Sequence, residues 1–192
     1  DKLWQGGNKN GTITDSYAMG GVSSDRGDIG GLVGSNNGCG IISGSYATGN
    51  VESAEGTRIG GLVGINWDDG TIIKSYAAGC MTGLYSVGGL AGVNLGAITE
   101  SFALGNVVGI SENSYDGIGG LVGTHNGEIT NAYSTGNVTG FDNIGGLVGL
   151  IQSDGTIENT YAAGSVTVTG TGENVGGLVG MISDYWNGYI SY

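Results

Sequence analysis

The five-residue segment Gly-Gly-Leu-Val-Gly recurs six times in this chain, and its recurrence constrains the fold more than any other feature. Successive copies lie 26 to 31 residues apart. Self-similarity at such a period is the signature of stacked repeats, in which each unit buries its apolar face against its neighbours. The copies begin at Gly30, Gly60, Gly88, Gly119, Gly145 and Gly176, and Ala91 replaces the valine in the third copy.

Each repeat carries a second landmark, Gly-x-Ile, and an aromatic residue stands four positions after the isoleucine. Small residues flank that aromatic residue, a glycine follows three positions later, and Val or Met comes two positions after the glycine. The segments between landmarks vary in length, as loops between stacked units do. The aromatic residues of this row are Tyr17, Tyr46, Tyr76, Phe102, Tyr133 and Tyr161.

Short strands account for the repeat better than helices. The apolar runs are brief, rich in Val, Ile, Tyr and Thr, and bounded by Gly, Asn, Asp and Ser, which is typical of strands. The 44 glycines disfavour helix, where an interior glycine costs about 1 kcal/mol relative to alanine. The sequence therefore predicts an all-β chain, a single-domain parallel β-solenoid (β-helix) over residues 1–192. It would have about six to seven rungs of about 30 residues, Gly-rich corners, two or three strands per rung and partial terminal rungs.

Identical positions stack in a solenoid, so the repeat also predicts which side chains face inward. The leucines of the Gly-Gly-Leu segments and the isoleucines of Gly-x-Ile are expected to form two core rows. The aromatic row leaves two alternatives: if Ala18 and its equivalents point inward, the rings lie on the surface, and otherwise they are core. The strict spacing favours a buried or half-buried ring. Asn50, Asn106 and Asn137 are expected at corners, because asparagine tolerates left-handed backbone.

The formal net charge of −12 argues against nucleic acid and anionic membrane surfaces as partners. No apolar run approaches the 18 or so residues of a membrane-spanning helix, so no membrane insertion is expected. The acidic residues concentrate in the variable loops, where they favour solubility. A second interpretation is weak Ca²⁺ binding by a loop such as 66–70, since hard cations prefer several oxygen ligands. No other cofactor or metal is expected.

The chain lacks the residue patterns of common catalytic sites. His125 is the sole histidine, and its loop-like context predicts a solvated surface side chain. His-Glu-x-x-His, Walker A, Cys-x-x-Cys and Gly-x-Ser-x-Gly are all missing from the sequence. The prediction is therefore that the protein is not an enzyme. Cys39 and Cys80 are a possible disulfide between successive repeats, although they stand at different positions of the repeat, which leaves their separation uncertain.

The Gly-Leu-Val-Gly cores, each followed by Gly-x-Ile and Ser-Tyr-Ala-x-Gly-x-Val, resemble the GLUG repeat. This resemblance covers nearly the whole chain. It implies a β-rich repeat and an extracellular or cell-surface location, because GLUG repeats occur in large secreted or wall-attached microbial proteins, including adhesin-like ones. It implies no catalytic residue.

Aromatic residues cluster near both ends of the chain, where a solenoid normally needs a polar cap. Uncovered end rungs present unpaired backbone groups that another chain can join, and two different ends favour an open head-to-tail polymer. We therefore expect self-assembly of a structural subunit into a surface or secreted filament. The candidate assembly residues are Leu3, Trp4, Tyr185, Trp186, Tyr189 and Tyr192.

An alternative function is a stalk or ligand-binding segment of a cell-surface adhesin. In that case the variable loops would contact a glycan or protein of a host or neighbouring cell, with aromatic side chains as anchors. The candidates for such contacts are Trp67, Tyr85, Tyr115 and Phe141.

Overall fold

The computed structural model describes residues 11–111 and 117–184, and every regular element in this part of the chain is a β-strand. The chain winds into six coils of about 29 residues each. Every strand pairs in parallel with the equivalent strand one repeat later. The predicted parallel β-solenoid is thus confirmed, but each coil contains five short strands rather than two or three. Within the described residues, no helix has the length and apolar character needed to cross a membrane.

The five strands of a coil belong to five six-stranded sheets, which we number 1 to 5 in chain order. Sheet 1 holds the Gly-x-Ile strands, namely Thr12–Thr14, Ile41–Ser43, Thr71–Ile73, Ala97–Thr99, Glu128–Thr130 and Thr156–Glu158. Sheet 2 holds the aromatic row in strands of two residues, namely Tyr17–Ala18, Tyr46–Ala47, Tyr76–Ala77, Phe102–Ala103, Tyr133–Ser134 and Tyr161–Ala162.

The remaining three sheets complete the coil. Sheet 3 comprises Val22–Ser23, Val51–Glu52, Met81–Gly83, Val107–Gly109, Val138–Gly140 and Val166–Val168. Sheet 4 comprises Asp28–Gly30, Arg58–Gly60, Ser86–Gly88, Ile118–Gly119, Ile144–Gly145 and Val175–Gly176. Sheet 5 comprises Val33–Asn36, Val63–Asn66, Ala91–Asn94, Val122–His125, Val148–Gln152 and Val179–Ser183.

The Gly-Gly-Leu-Val-Gly segment forms the corner between sheets 4 and 5, and its glycines are required by close backbone approach. A Cβ on Gly60 would lie 2.0 Å from the carbonyl oxygen of Val63. A Cβ on Gly61 would lie 2.2 Å from the carbonyl oxygen of Gly89 in the next coil. Because glycine is the sole residue without a Cβ, the repeat retains it at this corner.

Two apolar cores run in parallel along the stack. The larger one contains the leucine and isoleucine rows predicted from the sequence, together with the alanines of sheet 2 and valines of sheet 5. The smaller one lies between sheets 3 and 4 and includes Val51, Ile59 and Met81. In the inner coils both predicted rows are fully buried, as at Leu62 and Ile72.

The corner between sheets 1 and 2 has left-handed backbone in every coil. Its residue has a positive φ in each repeat, from Asp15 (48°) in the first coil to Asn159 (52°) in the last. The asparagines at 50, 106 and 137 lie at the corner between sheets 2 and 3, and their φ angles are not positive. Each accepts a hydrogen bond through Oδ1 from a backbone amide of the next coil; in the first of these, Cys80 N donates to Asn50 at 3.0 Å.

Candidate functional site

The most prominent surface feature is the aromatic ladder, the row of six rings that sheet 2 carries from Tyr17 to Tyr161. Consecutive rings are stacked with centroids 4.9 to 5.1 Å apart and planes within 8° of parallel. Neighbouring strand positions point to opposite faces, and Ala47, Ala77 and Ala103 are buried in the core. The rings therefore point outward, which decides between the two alternatives left open by the sequence in favour of a surface row. The four inner rings are half-buried, as the spacing suggested.

The two end rings of the ladder differ from the inner ones. Each inner ring is covered on both faces by its neighbours, so it presents only its edge to solvent. Tyr17 and Tyr161 have a stacked neighbour on one side and are 59% and 54% exposed. The ladder is consequently a strip of ring edges with an open ring face at each end.

A second row, the amide ladder, lies buried in sheet 5 and consists of Asn36, Asn66, Asn94 and His125. The side-chain amide of Asn36 donates to Oδ1 of Asn66 at 2.7 Å, and that of Asn66 donates to Oδ1 of Asn94 at 2.8 Å. Each asparagine amide also donates to a backbone carbonyl of its own turn, such as that of Gly40. This network satisfies polar groups that burial would otherwise leave without partners.

His125 ends the amide ladder, and the prediction of a solvated surface histidine is wrong. The side chain is fully buried. Its Nδ1 accepts from Asn94 Nδ2 at 3.2 Å and from Gly127 N at 3.4 Å, while Nε2 lies 3.0 Å from the carbonyl oxygen of Thr156. A backbone amide can only donate, so Nδ1 is the acceptor and Nε2 carries the proton.

Burial lowers the pKa of His125 below its usual range, because the charged form loses hydration. Backbone hydrogen bonds involving Thr156 and Asn94 act in the opposite direction but are smaller. The hydrogen-bond geometry also favours the neutral ring, because a proton on Nδ1 would point at two donors, Asn94 Nδ2 and Gly127 N. His125 therefore links its coil to the two neighbouring coils as a neutral imidazole.

The sequence did contain a signal for the amide ladder. Asparagine stands at the same distance after Gly-Gly-Leu-Val-Gly in three successive repeats, and His125 occupies that position in the fourth. Three equivalent polar residues in an otherwise apolar strand indicate a stacked, hydrogen-bonded row. The pattern ends in the last two coils, where Ile151 and Ile182 occupy the equivalent position.

The loop at residues 66–70, which was considered for Ca²⁺, contributes Asn66 to the amide ladder. Asn66 is fully buried and its amide oxygen accepts from Asn36. Asp68 and Asp69 are exposed on the loop itself. Among residues 11–111 and 117–184, no group of three or more His, Cys, Asp or Glu side chains is arranged to hold a metal ion.

Cys39 and Cys80 are not joined by a disulfide in the structure. The reason is that they occupy different corners of the coil, with Cys39 between sheets 5 and 1 and Cys80 between sheets 2 and 3. Cys39 is half-buried and Cys80 is exposed.

The aromatic loop residues do not come together in one place. Trp67 is half-buried between sheets 5 and 1, and its indole N–H donates to Ser35 Oγ at 3.1 Å. Tyr85 and Phe141 lie between sheets 3 and 4 in different coils. Tyr115 and the six candidate assembly residues, Leu3, Trp4, Tyr185, Trp186, Tyr189 and Tyr192, lie outside the described residues.

Fold and surfaces together define a parallel β-solenoid repeat protein whose rows of like side chains run the length of the stack. The model of the family described as the GLUG motif matches residues 25–52, 55–82, 114–139 and 143–169. These segments make up more than half of the chain, and the protein therefore belongs to the GLUG-motif family. A search among curated proteins finds none that matches.

The matched segments correspond to single coils, each beginning before sheet 4 and ending at sheet 3 of the following turn. They leave out residues 83–113, where Ala91 and Phe102 depart from the repeat. The structure nevertheless keeps that coil in register, pairing Ala91 with Val63 and Phe102 with Tyr76. Small and aromatic substitutions of similar shape are thus tolerated within the stack.

Proposed function

We propose that this protein is a non-enzymatic structural subunit that acts outside the cell. In this proposal its coil stack is extended end to end by further copies of the chain, which gives a filament. Membership of the GLUG-motif family and the solenoid fold support a structural repeat protein. The extracellular location follows from what the GLUG resemblance implies.

The observation that carries the proposal is the contrast between inner and outer coils. Leu62, Leu90, Leu121 and Leu147 are fully buried, whereas Leu178, the same position in the last coil, is 38% exposed. Ile151 is 5% exposed, and Ile182 directly above it is 71% exposed. Each coil covers the apolar rows of the coil before it, so the last described coil presents rows that another coil of the same shape would bury.

Stacking of one coil on the next is also the contact that holds this chain together internally. All five sheets continue through six coils in one parallel register. A two-fold related copy would reverse the order of the five sheets around the coil, so only a head-to-tail contact continues every sheet. Such a heterologous contact does not close on itself and leads to an open filament.

Catalysis is not part of the proposal. The single histidine is enclosed in the amide ladder, and the exposed carboxylates are distributed over separate loops. The adhesin alternative is less well supported, because the loop aromatics Trp67, Tyr85 and Phe141 lie at separate places on the surface.

The test is electron microscopy and light scattering of the purified chain across a concentration series. We expect filaments or growing oligomers from the parent chain and discrete monomers from Ile182→Lys, which places a charge on the exposed end row. The matched control is Ile110→Lys, because Ile110 is 47% exposed on the side of an inner coil. Monomers of the parent at every concentration would refute the filament and direct attention to glycan and protein ligands.

A further inference from the structure

We propose that the aromatic ladder is a modification site, at which a one-electron oxidant couples tyrosines of consecutive coils through a carbon–carbon bond. The pairs assigned to this reaction are Tyr17–Tyr46, Tyr46–Tyr76 and Tyr133–Tyr161. The product would be a covalent staple between neighbouring coils. The inference does not depend on filament formation, because every pair lies within one chain.

The reaction balances with a peroxide as the oxidant. Each of two tyrosines gives one electron to the oxidant and its phenolic proton to water, which leaves two phenoxyl radicals. Their ortho carbons form a bond, and the two ortho hydrogens move to the oxygens and restore both phenols. Two electrons and two protons leave per cross-link, and hydrogen peroxide, acting through a haem peroxidase, takes them up to become two water molecules.

Proximity is the first argument for coupling within the ladder. Ring centroids are 5.1 Å apart for Tyr17 and Tyr46 and 4.9 Å for the other two pairs, with planes 3° to 8° from parallel. The rings are anchored at the same register position of adjacent strands. Corresponding ortho carbons therefore lie about as far apart as the centroids, and fixed proximity of this kind raises the effective concentration of reacting groups.

Accessibility is the second argument. Because the alanines of sheet 2 face the core, the phenol edges face solvent along the whole ladder. Tyr17 and Tyr161 are more than half exposed, and the inner rings are half-buried. An oxidant in solution can thus reach the ladder, while the coils hold the radical next to its partner.

Phe102 interrupts the row of tyrosines in the aromatic ladder. It stacks between Tyr76 and Tyr133 with centroid distances of 4.9 Å on both sides, but it has no phenol to oxidise. The ladder is therefore divided into a segment of three tyrosines and a segment of two. No cross-link should connect the two segments.

The test is oxidation of the full chain by a haem peroxidase and hydrogen peroxide, in a Cys39→Ser/Cys80→Ser background so that thiols do not consume the oxidant. Dityrosine fluorescence reports coupling, and peptide mass spectrometry assigns the linked residues. We expect intrachain links at the three assigned pairs, each with the loss of two hydrogens, and a yield of links per chain that does not depend on protein concentration. Tyr85, which is 38% exposed and has no stacked partner in the described residues, is the internal control.

Two variants make the outcome decisive. Phe102→Tyr should add links from position 102 to Tyr76 and Tyr133. Tyr46→Phe should abolish both links of the first segment and leave Tyr133–Tyr161 unchanged, and it should fold because the ladder already accommodates phenylalanine. Links that involve Tyr85 as often as the ladder, that join different chains, or that fail to respond to these two variants would overturn the proposal. An absence of dityrosine under conditions that couple free tyrosine would do the same.

Discussion

The glycine corner between sheets 4 and 5 shows how single residues set the spacing of the coils. The second glycine of each Gly-Gly-Leu-Val-Gly segment faces the backbone of the next coil. At Gly31, Gly61, Gly89, Gly120 and Gly146 an added Cβ would lie 2.1 to 2.2 Å from a carbonyl oxygen of that coil. At Gly177, the same position in the last described coil, nothing lies within 4 Å of such an atom.

This difference predicts opposite effects of one substitution. Gly61→Ala should lower the free energy of unfolding by more than about 3 kcal/mol, the upper range for overpacked cores, because backbone cannot move aside as a side chain can. Gly177→Ala should leave it unchanged within about 0.5 kcal/mol. Urea denaturation of dilute protein, followed by circular dichroism, measures both. Equal stability of the two variants would contradict the close approach.

Among the elements, the amide ladder shows that stacked rows can be polar as well as apolar. Asn36, Asn66 and Asn94 satisfy one another across coils, and His125 continues the row because its neutral ring also offers an acceptor on one side and a donor on the other. The ladder therefore links stability to the charge of one imidazole.

The lowered pKa of His125 predicts a pH-dependent stability. Above about pH 6.5 the ring is neutral in both folded and unfolded chains, and the contribution is flat. Below that pH the unfolded chain binds a proton that the folded chain rejects. The free energy of unfolding should then fall by up to about 1.4 kcal/mol per pH unit.

The matched control is His125→Asn, which extends the asparagine row and removes the titrating group. Both proteins carry the same carboxylates, so the difference between their free energies of unfolding isolates the histidine. Urea denaturation from about pH 5 to pH 8 should show a constant difference above neutrality and a growing disadvantage of the parent in acid. Parallel curves would show that His125 is protonated as readily in the fold as in the unfolded chain.

In the filament proposed above, the apolar end rows would favour association of copies, while the net charge of −12 on every copy would oppose it. Charge repulsion between copies weakens as salt shortens the screening length, from about 10 Å at 0.1 M to about 3 Å at 1 M. We therefore predict that the critical concentration for assembly falls as sodium chloride is raised.

A charge variant separates this effect from a general response to salt. Asp68→Asn/Asp69→Asn removes two negative charges from an exposed loop of an inner coil. At low salt it should assemble at lower concentration than the parent, and the difference should vanish at high salt. Light scattering across salt and protein concentrations measures both. A critical concentration that rises with salt would mean that ion pairs, rather than apolar rows, join the copies.

The sequence by itself determined the solenoid, its repeat length and its leucine and isoleucine rows. These follow from the periodic spacing of apolar and glycine residues, which can be read directly along the chain. Because the coils stack in register, the same spacing places equivalent residues above one another in every coil. The tertiary structure decided the rest. Sheet 2 strands have two residues, too few for alternation to show which side faces the core, so only packing placed Ala47 inside and Tyr46 outside. His125 looked solvent-exposed from its neighbours in sequence, but it is buried between coils, and its partners Asn94 and Thr156 lie in the adjacent coils, about one repeat away in each direction.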